Sequence, residues 1–316
     1  MNPLKEGTPM KQIRALEVLL RQHGLLAAPA DRDAAVTGIC NDSRQARPGD
    51  LFICKGYGFK PEYLEMARSR GAVCVLAETD FPGVDIPCVR VSDVRKAQSL
   101  AARWFYDEPS DSLTLIGVTG TKGKTTTTHM IKAVLEAAGH KVGMVGTNGV
   151  YYPGHHYDLN NTTPESYELQ KILRQLADAG CDACVMEVSS QGIMMDRVAG
   201  IHYKVGVFTN LYPDHIGPGE HSSFEEYRSW KGKLFQRCDV GVVNADDPNT
   251  EALLEGHTCK LVTYGCSEKA DYRAGTYQLL RTHDFLGVQF HVSGKDDMDV
   301  KVNMPGAVSY THLTLP

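Results

Sequence analysis

LTLIGVTGTKGKTTTTHMIKAVLEAAGHKVGMVGT, residues 113–147, decides how this chain folds. An apolar run (LTLIGV) meets a glycine-rich turn, then a helical stretch from Thr125 to Ala138, then Gly139 and a second apolar run (KVGMVGT). That order is a βαβ unit, and such units build a parallel sheet covered by helices. The turn reads Gly117-Val-Thr-Gly120-Thr-Lys-Gly123-Lys124-Thr125-Thr126. Glycines let the backbone curl so that successive N–H groups and a helix N-terminus face phosphates, while a lysine reaches the β/γ-phosphates and a threonine hydroxyl holds magnesium. Gly120, Thr121, Lys122, Gly123, Lys124, Thr125 and Thr126 are therefore the expected nucleotide contacts, with ATP and magnesium as ligands. The strict phosphate-loop spacing would place glycine at 118, where Val118 stands.

Working outward, apolar runs recur at ACVMEV, KVGVFTNL, VGVVN and KLVTYG, and these extend the parallel sheet. From Tyr272 to Val302 a two-residue alternation with hairpin-like breaks predicts antiparallel strands that finish this domain. Toward the amino terminus, Ile13, Leu16, Leu19 and Leu20 mark an opening helix, and Val36 to Val91 alternates short strands with helix. Helical spacing returns at Ala97 to Tyr106, and EPSDS at 108–112 reads as a linker. The fold class is α/β: a small N-terminal α/β domain over residues 1–109, then a P-loop central domain over 110–306 with a mostly parallel, helix-covered sheet.

Composition narrows the function. With 42% hydrophobic and 22% charged residues the chain is an ordinary globular one, and its net charge of −5 offers no basic face for nucleic acid. No stretch approaches the roughly 20 apolar residues that span a bilayer, and the charged amino terminus lacks a signal-peptide core, so a cytoplasmic protein without membrane insertion is expected. The nine cysteines are scattered through apolar stretches. Cys181-x-x-Cys184 falls in CDACVMEV, which reads as a buried strand, so core filling is favoured over redox chemistry there.

Two further motifs sit where α/β sheets gather ligands, just past the carboxyl ends of strands. In Met186-Glu187-Val188-Ser189-Ser190 a carboxylate could coordinate magnesium and the serines could bond substrate oxygens. In Asn210-Leu-Tyr-Pro-Asp214-His215 the histidine is a candidate metal ligand.

Together these segments resemble the Mur ligase family. The resemblance runs over residues 36–306 and rests on DSRQARPGDLF at 42–52, GVTGTKGKTTT at 117–127, NTTPES at 161–166 and EVSSQG with Arg197. It continues through FTNLYPDHIGPGEHSSFEEY at 208–227, Lys231 and NADDP at 244–248. It implies an ATP-dependent ligase that adds the third amino acid, L-lysine or meso-diaminopimelate, to UDP-N-acetylmuramoyl-L-alanyl-D-glutamate in peptidoglycan synthesis. The substrate carboxylate would take the γ-phosphate of ATP as an acyl phosphate, and the incoming amine would then displace phosphate. By resemblance Lys124, Lys231, Glu187 and His215 are catalytic. Thr125 and Glu187 hold one magnesium, His215 a second, and Lys231 is carbamylated to support it, with Lys233 as the less well aligned alternative. Ser43 would contact the uridine nucleotide, Thr162, Thr163, Ser189 and Arg197 the muramoyl dipeptide, and Asn244 and Asp247 the ATP nucleotide. The segment at 214–227 leans slightly toward lysine-adding members.

The family's amino-acid-recognising third domain does not follow in this sequence, and residues 307–316 read as a truncation or artefact tail after the junction-like MPG at 304–306. Competing readings are a folylpolyglutamate-synthase-like ligase, which the DSR and NTTP segments argue against, and a non-catalytic nucleotide-binding module.

Overall fold

A computed structural model describes residues 10–55, 59–282 and 285–303; the junction and tail readings after residue 303 lie outside the described residues. The chain divides into two compact units. One holds the described residues up to Ser110 together with Glu165–Arg174 and Met195–Gly200, and the other holds the remainder.

The first unit runs β1 (Lys11–Gln12), α1 (Ile13–Gln22), β2 (Leu26–Ala28), β3 (Ala35–Val36), β4 (Gly38–Cys40), β5 (Asp50–Ile53), α2 (Pro61–Ser69), β6 (Cys74–Ala77), β7 (Cys88–Val91) and α3 (Val94–Phe105). Strands β4, β5, β6 and β7 pair in parallel and β2 closes the sheet antiparallel to β7, while β1 and β3 form a separate two-stranded ribbon. Ile13, Leu16 and Leu20 of α1 recur on one helical face and are fully buried against Ala97 and Ala101 of α3 and the sheet. Asp93 caps α3 by accepting from the Arg95 and Lys96 N–H groups. The stretch read as a linker at 108–112 is a short 3-10 turn with Pro109 and Ser110 buried.

The second unit contains β8 (Thr114–Thr119), α4 (Lys124–Ala137), β9 (Val142–Gly146), β10 (Gly149–Tyr152), β11 (His155–Tyr157), the helix α5 (Ser166–Asp178) in part, β12 (Ala183–Glu187), α6 (Ser190–Met194), β13 (Tyr203–Phe208), α7 (Phe224–Gly232), β14 (Cys238–Asn244), α8 (Thr250–Leu253), β15 (Lys260–Gly265), β16 (Tyr272–Ala274), β17 (Gln278–Arg281), β18 (Leu286–Gly294) and β19 (Met298–Val302). Its sheet runs β11-β10-β9-β12-β8-β13-β14-β15-β16-β18-β17, with β19 on β18. From β9 to β16 every pairing is parallel, so these strands are buried by helices on both faces and read as near-continuous apolar runs. Strands β16 to β19 pair antiparallel, as the alternation at 272–302 predicts. The β10–β11 hairpin was not foreseen.

The order reverses at β8. After β8 the chain builds β9 and then β12 on one side, and returns to lay β13 on the other. Glu187 ends β12 beside Val118, and Phe208 ends β13 beside Thr119, so the segments that follow all three strands open at one crevice. Cys181 and Cys184 are both free and buried, as core filling requires. No helix among the described residues is long and apolar enough to cross a membrane.

Candidate nucleotide-binding site

The loop from Gly120 to Gly123 is held by the segment after β13. Thr121 N–H donates to Asn210 O at 2.8 Å and Lys122 N–H to Asn210 Oδ1 at 3.0 Å. In return Thr209 Oγ1 and Asn210 Nδ2 donate to Lys122 O at 2.7 and 3.1 Å. Thr121 Oγ1 donates to Tyr212 O at 3.2 Å and accepts from Tyr212 N–H at 3.0 Å. This lattice makes the loop rigid before any ligand arrives. Gly123 starts α4 at φ +86, a left-handed geometry that glycine takes without a Cβ clash, and the helix N-terminus then faces the loop.

Two lysines meet one carbonyl there. Lys124 Nζ donates to Gly120 O at 3.0 Å and Thr121 O at 3.1 Å, and Lys231 Nζ donates to the same Gly120 O at 3.0 Å. Lys231 is 2% exposed, and its amine is held well below the ordinary lysine range by burial first and by the charge of Lys124 second. Burial also lowers Lys124. Lys231 reaches this place because α7 puts it four residues after Tyr227, on the same helix face, with Nζ 4.5 Å from the Tyr227 ring centroid. The alternative, Lys233, lies past the helix with its Nζ 3.4 Å from the Trp230 ring centroid.

Glu187 is 1% exposed and organises the other side of the crevice. Its Oε1 accepts from Thr125 Oγ1 and from Thr147 N–H, both at 2.9 Å, and Oε2 accepts from Thr147 Oγ1 at 3.2 Å. Thr147 Oγ1 lies 3.0 Å from Thr162 Oγ1. The neighbouring Thr163 Oγ1 lies 3.0 Å from Glu187 O, accepts from Ser189 N–H at 3.0 Å, and is 3.1 Å from Ser189 Oγ. Thr125, Glu187, Thr162, Thr163 and Ser189, read from separate motifs, are thus one connected network. Thr147 joins them with no motif of its own; the signal available was its position at the end of β9, which the parallel register sets beside β12. Thr126 is half-buried in the first turn of α4.

Among the described residues no group of three or more His, Cys, Asp or Glu side chains is placed to hold a metal ion. Magnesium does not need one, because it takes hard oxygens from one or two protein groups and completes its octahedron with phosphate and water. The Thr125 hydroxyl and Glu187 carboxylate, 2.9 Å apart, fit that requirement. His215 is half-exposed at φ +53, with Nδ1 3.1 Å from Glu220 Oε1 and its ring 6.1 Å from Tyr227. Lys122 Nζ, rather than reaching into the loop, pairs with Asp214 at 2.9 Å and lowers its carboxyl.

His221 was missed in the sequence. It is fully buried, with Nε2 2.9 Å from Ser190 Oγ and its ring 5.3 Å from Tyr227, and burial lowers its affinity for a proton. Asn244 Nδ2 donates to Thr209 O at 2.9 Å, and Asp247 accepts from Leu211 N–H at 2.7 Å and Asn249 N–H at 2.8 Å. Both therefore brace the segment after β13. They also line a cavity of about 400 Å³ with Leu211, Tyr212 and Pro248.

Ser43 and Arg197 belong to the first unit. Ser43 is buried after β4, its Oγ 3.5 Å from Met66 Sδ, beside Asp42, whose carboxyl the Arg44 guanidinium lowers to about 2. Arg197 Nε is 3.0 Å from Glu165 Oε1.

A family profile for the Mur ligase middle domain matches residues 118–311. The chain is 39% identical over 272 residues to the UDP-N-acetylmuramoyl-L-alanyl-D-glutamate--2,6-diaminopimelate ligase of Clostridium botulinum, covering 84% of this chain and 55% of the relative. It is 40% identical over 273 residues to the enzyme of that name from Geobacillus thermodenitrificans, covering 80% and 55%. The chain thus spans about half the length of the curated relatives it matches. A solved structure of a ligase of the same name superposes with a TM-score of 0.77 at 26% identity over 88% of this chain and 58% of that one. A MurF structure from Acinetobacter baumannii, at a TM-score of 0.65 and 18% identity over 97% and 64%, shares the fold.

Proposed function

The chain belongs to the Mur ligase family, and from that premise we propose that it carries the nucleotide and UDP-substrate sites of an ATP-dependent ligase that extends UDP-N-acetylmuramoyl-L-alanyl-D-glutamate by one amino acid. The observation that carries this reading is the convergence of Lys124, Lys231 and the Thr125–Glu187 pair at one rigid phosphate loop. In the first step the substrate carboxylate attacks the γ-phosphorus, a P–O bond forms, and the bond to ADP breaks. In the second the amine attacks the acyl carbon and phosphate leaves. Two anions must approach each other, so positioning and charge screening supply most of the acceleration. Lys124 answers the β/γ-phosphate charge, and the N–H groups of Gly123 and the first turn of α4 would hold the phosphates in line, those of Thr121 and Lys122 being taken by Asn210. Magnesium, held by Thr125 and Glu187, would supply further charge neutralisation.

Lys231 has a separate part. A buried amine held neutral is the nucleophilic form, and it adds to the carbon of carbon dioxide with loss of one proton to give an anionic carbamate. Its cationic form beside Lys124 is disfavoured, whereas the carbamate turns repulsion into attraction. With His215 it would support a second cation. Asn244 and Asp247 line the cavity where the nucleoside would lie, and Ser43, Thr162, Thr163, Ser189 and Arg197 would take the UDP-linked dipeptide. Residues 1–109 then form a UDP-substrate domain and 110–306 an ATP domain, in a cytoplasmic protein, since ATP and a UDP-linked precursor are its ligands. The names of the relatives favour diaminopimelate as the amine, against the lean of residues 214–227 toward lysine.

The test is phosphate release from ATP by the full-length protein with the UDP-linked dipeptide and either diaminopimelate or L-lysine. Turnover requiring the dipeptide and one amine, and abolished by Lys124→Met, is expected. Hydrolysis indifferent to the dipeptide would sink the proposal.

A further inference from the structure

Between Leu211 and Tyr227 the chain runs over the surface of the second unit, and His221 is the one buried residue in that stretch. Tyr212 and Ile216 are 58% and 43% exposed, so apolar burial does not hold the segment that carries Asp214 and His215. His221 holds it instead. Its N–H donates to His215 O at 3.1 Å, its carbonyl accepts from Gly217 N–H at 3.1 Å, and it forms a parallel bridge with Ile216. His215 sits at φ +53, a left-handed geometry that a non-glycine residue keeps only where its surroundings fix it. From its buried position the His221 imidazole reaches two ways. Nε2 lies 2.9 Å from Ser190 Oγ, at the start of α6 and shortly past Glu187. Its ring lies 5.3 Å from that of Tyr227, whose hydroxyl is 3.2 Å from Thr121 Oγ1 in the phosphate loop and whose ring centroid is 4.5 Å from Lys231 Nζ.

A side chain that only filled this place would be apolar, because burying an imidazole costs the hydration of both its nitrogens. Among the described residues Nδ1 has no hydrogen-bond partner, so the bond to Ser190 is what offsets that cost. That bond ties the His215 loop to the segment leaving β12, where Ser189 Oγ already meets Thr163 Oγ1 and the Gly192 N–H. A loop and a helix distant from Glu187 in sequence are thereby fixed against the strand that ends in it. We propose that His221 is a positioning residue: through Ser190 and Tyr227 it sets His215 and Lys231 relative to Glu187, so that the second cation site stands assembled before the substrate arrives. The inference rests on the ligase reading above and adds His221 and Ser190 to it. Both side chains are buried, so they act through the groups they hold and not on the reacting atoms.

The test uses the full-length protein, with phosphate release from ATP followed against magnesium concentration in the presence of the UDP-linked dipeptide and the amine. His221→Leu keeps the place filled and removes the bond. It is expected to raise the magnesium concentration for half-maximal turnover about tenfold, the size of one hydrogen bond. A lower melting temperature with an unchanged magnesium dependence would show that His221 only holds the fold, and would overturn the proposal. The second readout needs no turnover. Manganese, standing in for magnesium, is counted by electron paramagnetic resonance on protein saturated with the dipeptide and a non-hydrolysable ATP analogue. The unaltered protein is expected to hold two ions and His221→Leu one at the same free concentration; equal counts, whether one or two, would overturn the proposal. Ser190→Ala removes the same bond from its other end and carries the test if His221→Leu does not fold. The double variant should lose no more than either single one, and additive losses would overturn the link between the two residues. If phosphate release by the unaltered protein is indifferent to the dipeptide, the ligase reading falls and this inference with it. If release depends on the dipeptide and both variants keep the parent's magnesium dependence, the ligase reading stands and this inference alone falls.

Discussion

Replacing Gly120 by alanine should damage the phosphate loop in a way the packing makes calculable. A Cβ at this position would lie 2.0 Å from Thr209 Oγ1, 3.1 Å from Asn210 O and 3.2 Å from Asn210 N, on a residue at φ +147. The hydroxyl can rotate away, but it then gives up its 2.7 Å bond to Lys122 O, a loss of about 1 kcal/mol. Alanine in a positive-φ conformation costs about 1 to 2 kcal/mol more, and easing the two backbone contacts about 1 kcal/mol. The sum, about 3 to 4 kcal/mol, corresponds to a melting temperature lower by roughly 5 °C in a protein of this size. Because Gly120 O also receives Lys124 and Lys231, the shift should weaken magnesium-ADP binding as well. Thermal unfolding followed by circular dichroism and an ADP titration read both effects. The double variant Gly120→Ala/Thr209→Ala should lose less than the sum of the two single variants, since the clashing hydroxyl is gone. An unshifted melt with full ADP affinity in Gly120→Ala would refute the packing argument, and strict additivity would refute Thr209 as its cause.

Two other perturbations probe the same site. Lys231→Met should stabilise the protein near neutral pH: the folded amine is lowered and the unfolded one is not, so the unfolded chain binds more protons and stability rises with pH until about 10.4. Urea unfolding in carbon-dioxide-free buffer should show that rise in the parent and a flatter profile in the variant; parallel profiles would refute a neutral Lys231. Asp247→Ala should cost about 2 to 4 kcal/mol by leaving the Leu211 and Asn249 N–H groups without their acceptor, read as a lower urea midpoint, and a loss below about 1 kcal/mol would mean that water replaces the carboxylate.

The elements legible in the sequence are those whose information is local. The βαβ run at 113–147 and the apolar strands β12 to β15 announce themselves because a buried parallel strand is a continuous apolar run and a phosphate loop needs its glycines and lysine side by side. The hairpin at 149–157 escaped because YYPGHHY is too short and polar to alternate clearly, and its edge strand β11 is fully exposed. EPSDS at 108–112 has linker composition and the two units divide after Ser110, but the burial of Pro109 and Ser110 in a 3-10 turn is something composition does not encode.

The site divides along the same line. That residues 120–126 form the turn between β8 and the start of α4 could be read from sequence because the chain presents them consecutively, and the strand-end position of Glu187 followed from its apolar run. What only the tertiary structure decided is which distant groups meet. Lys231 shares a carbonyl with Lys124 from 111 residues beyond Gly120, Thr147 closes on Glu187 and is met in turn by Thr162, and His221 settles on Ser190. Lys231 and Lys233 also part company only in the fold: both follow Tyr227 closely, but the first lies one helical turn on and reaches Gly120 O, while the second lies past the helix end against Trp230. Periodicity fixes the conformation of a segment and the face it buries. The reversal of strand order at β8 determines which segments become neighbours, and that order is settled by the packing of the whole sheet rather than by any stretch of the chain.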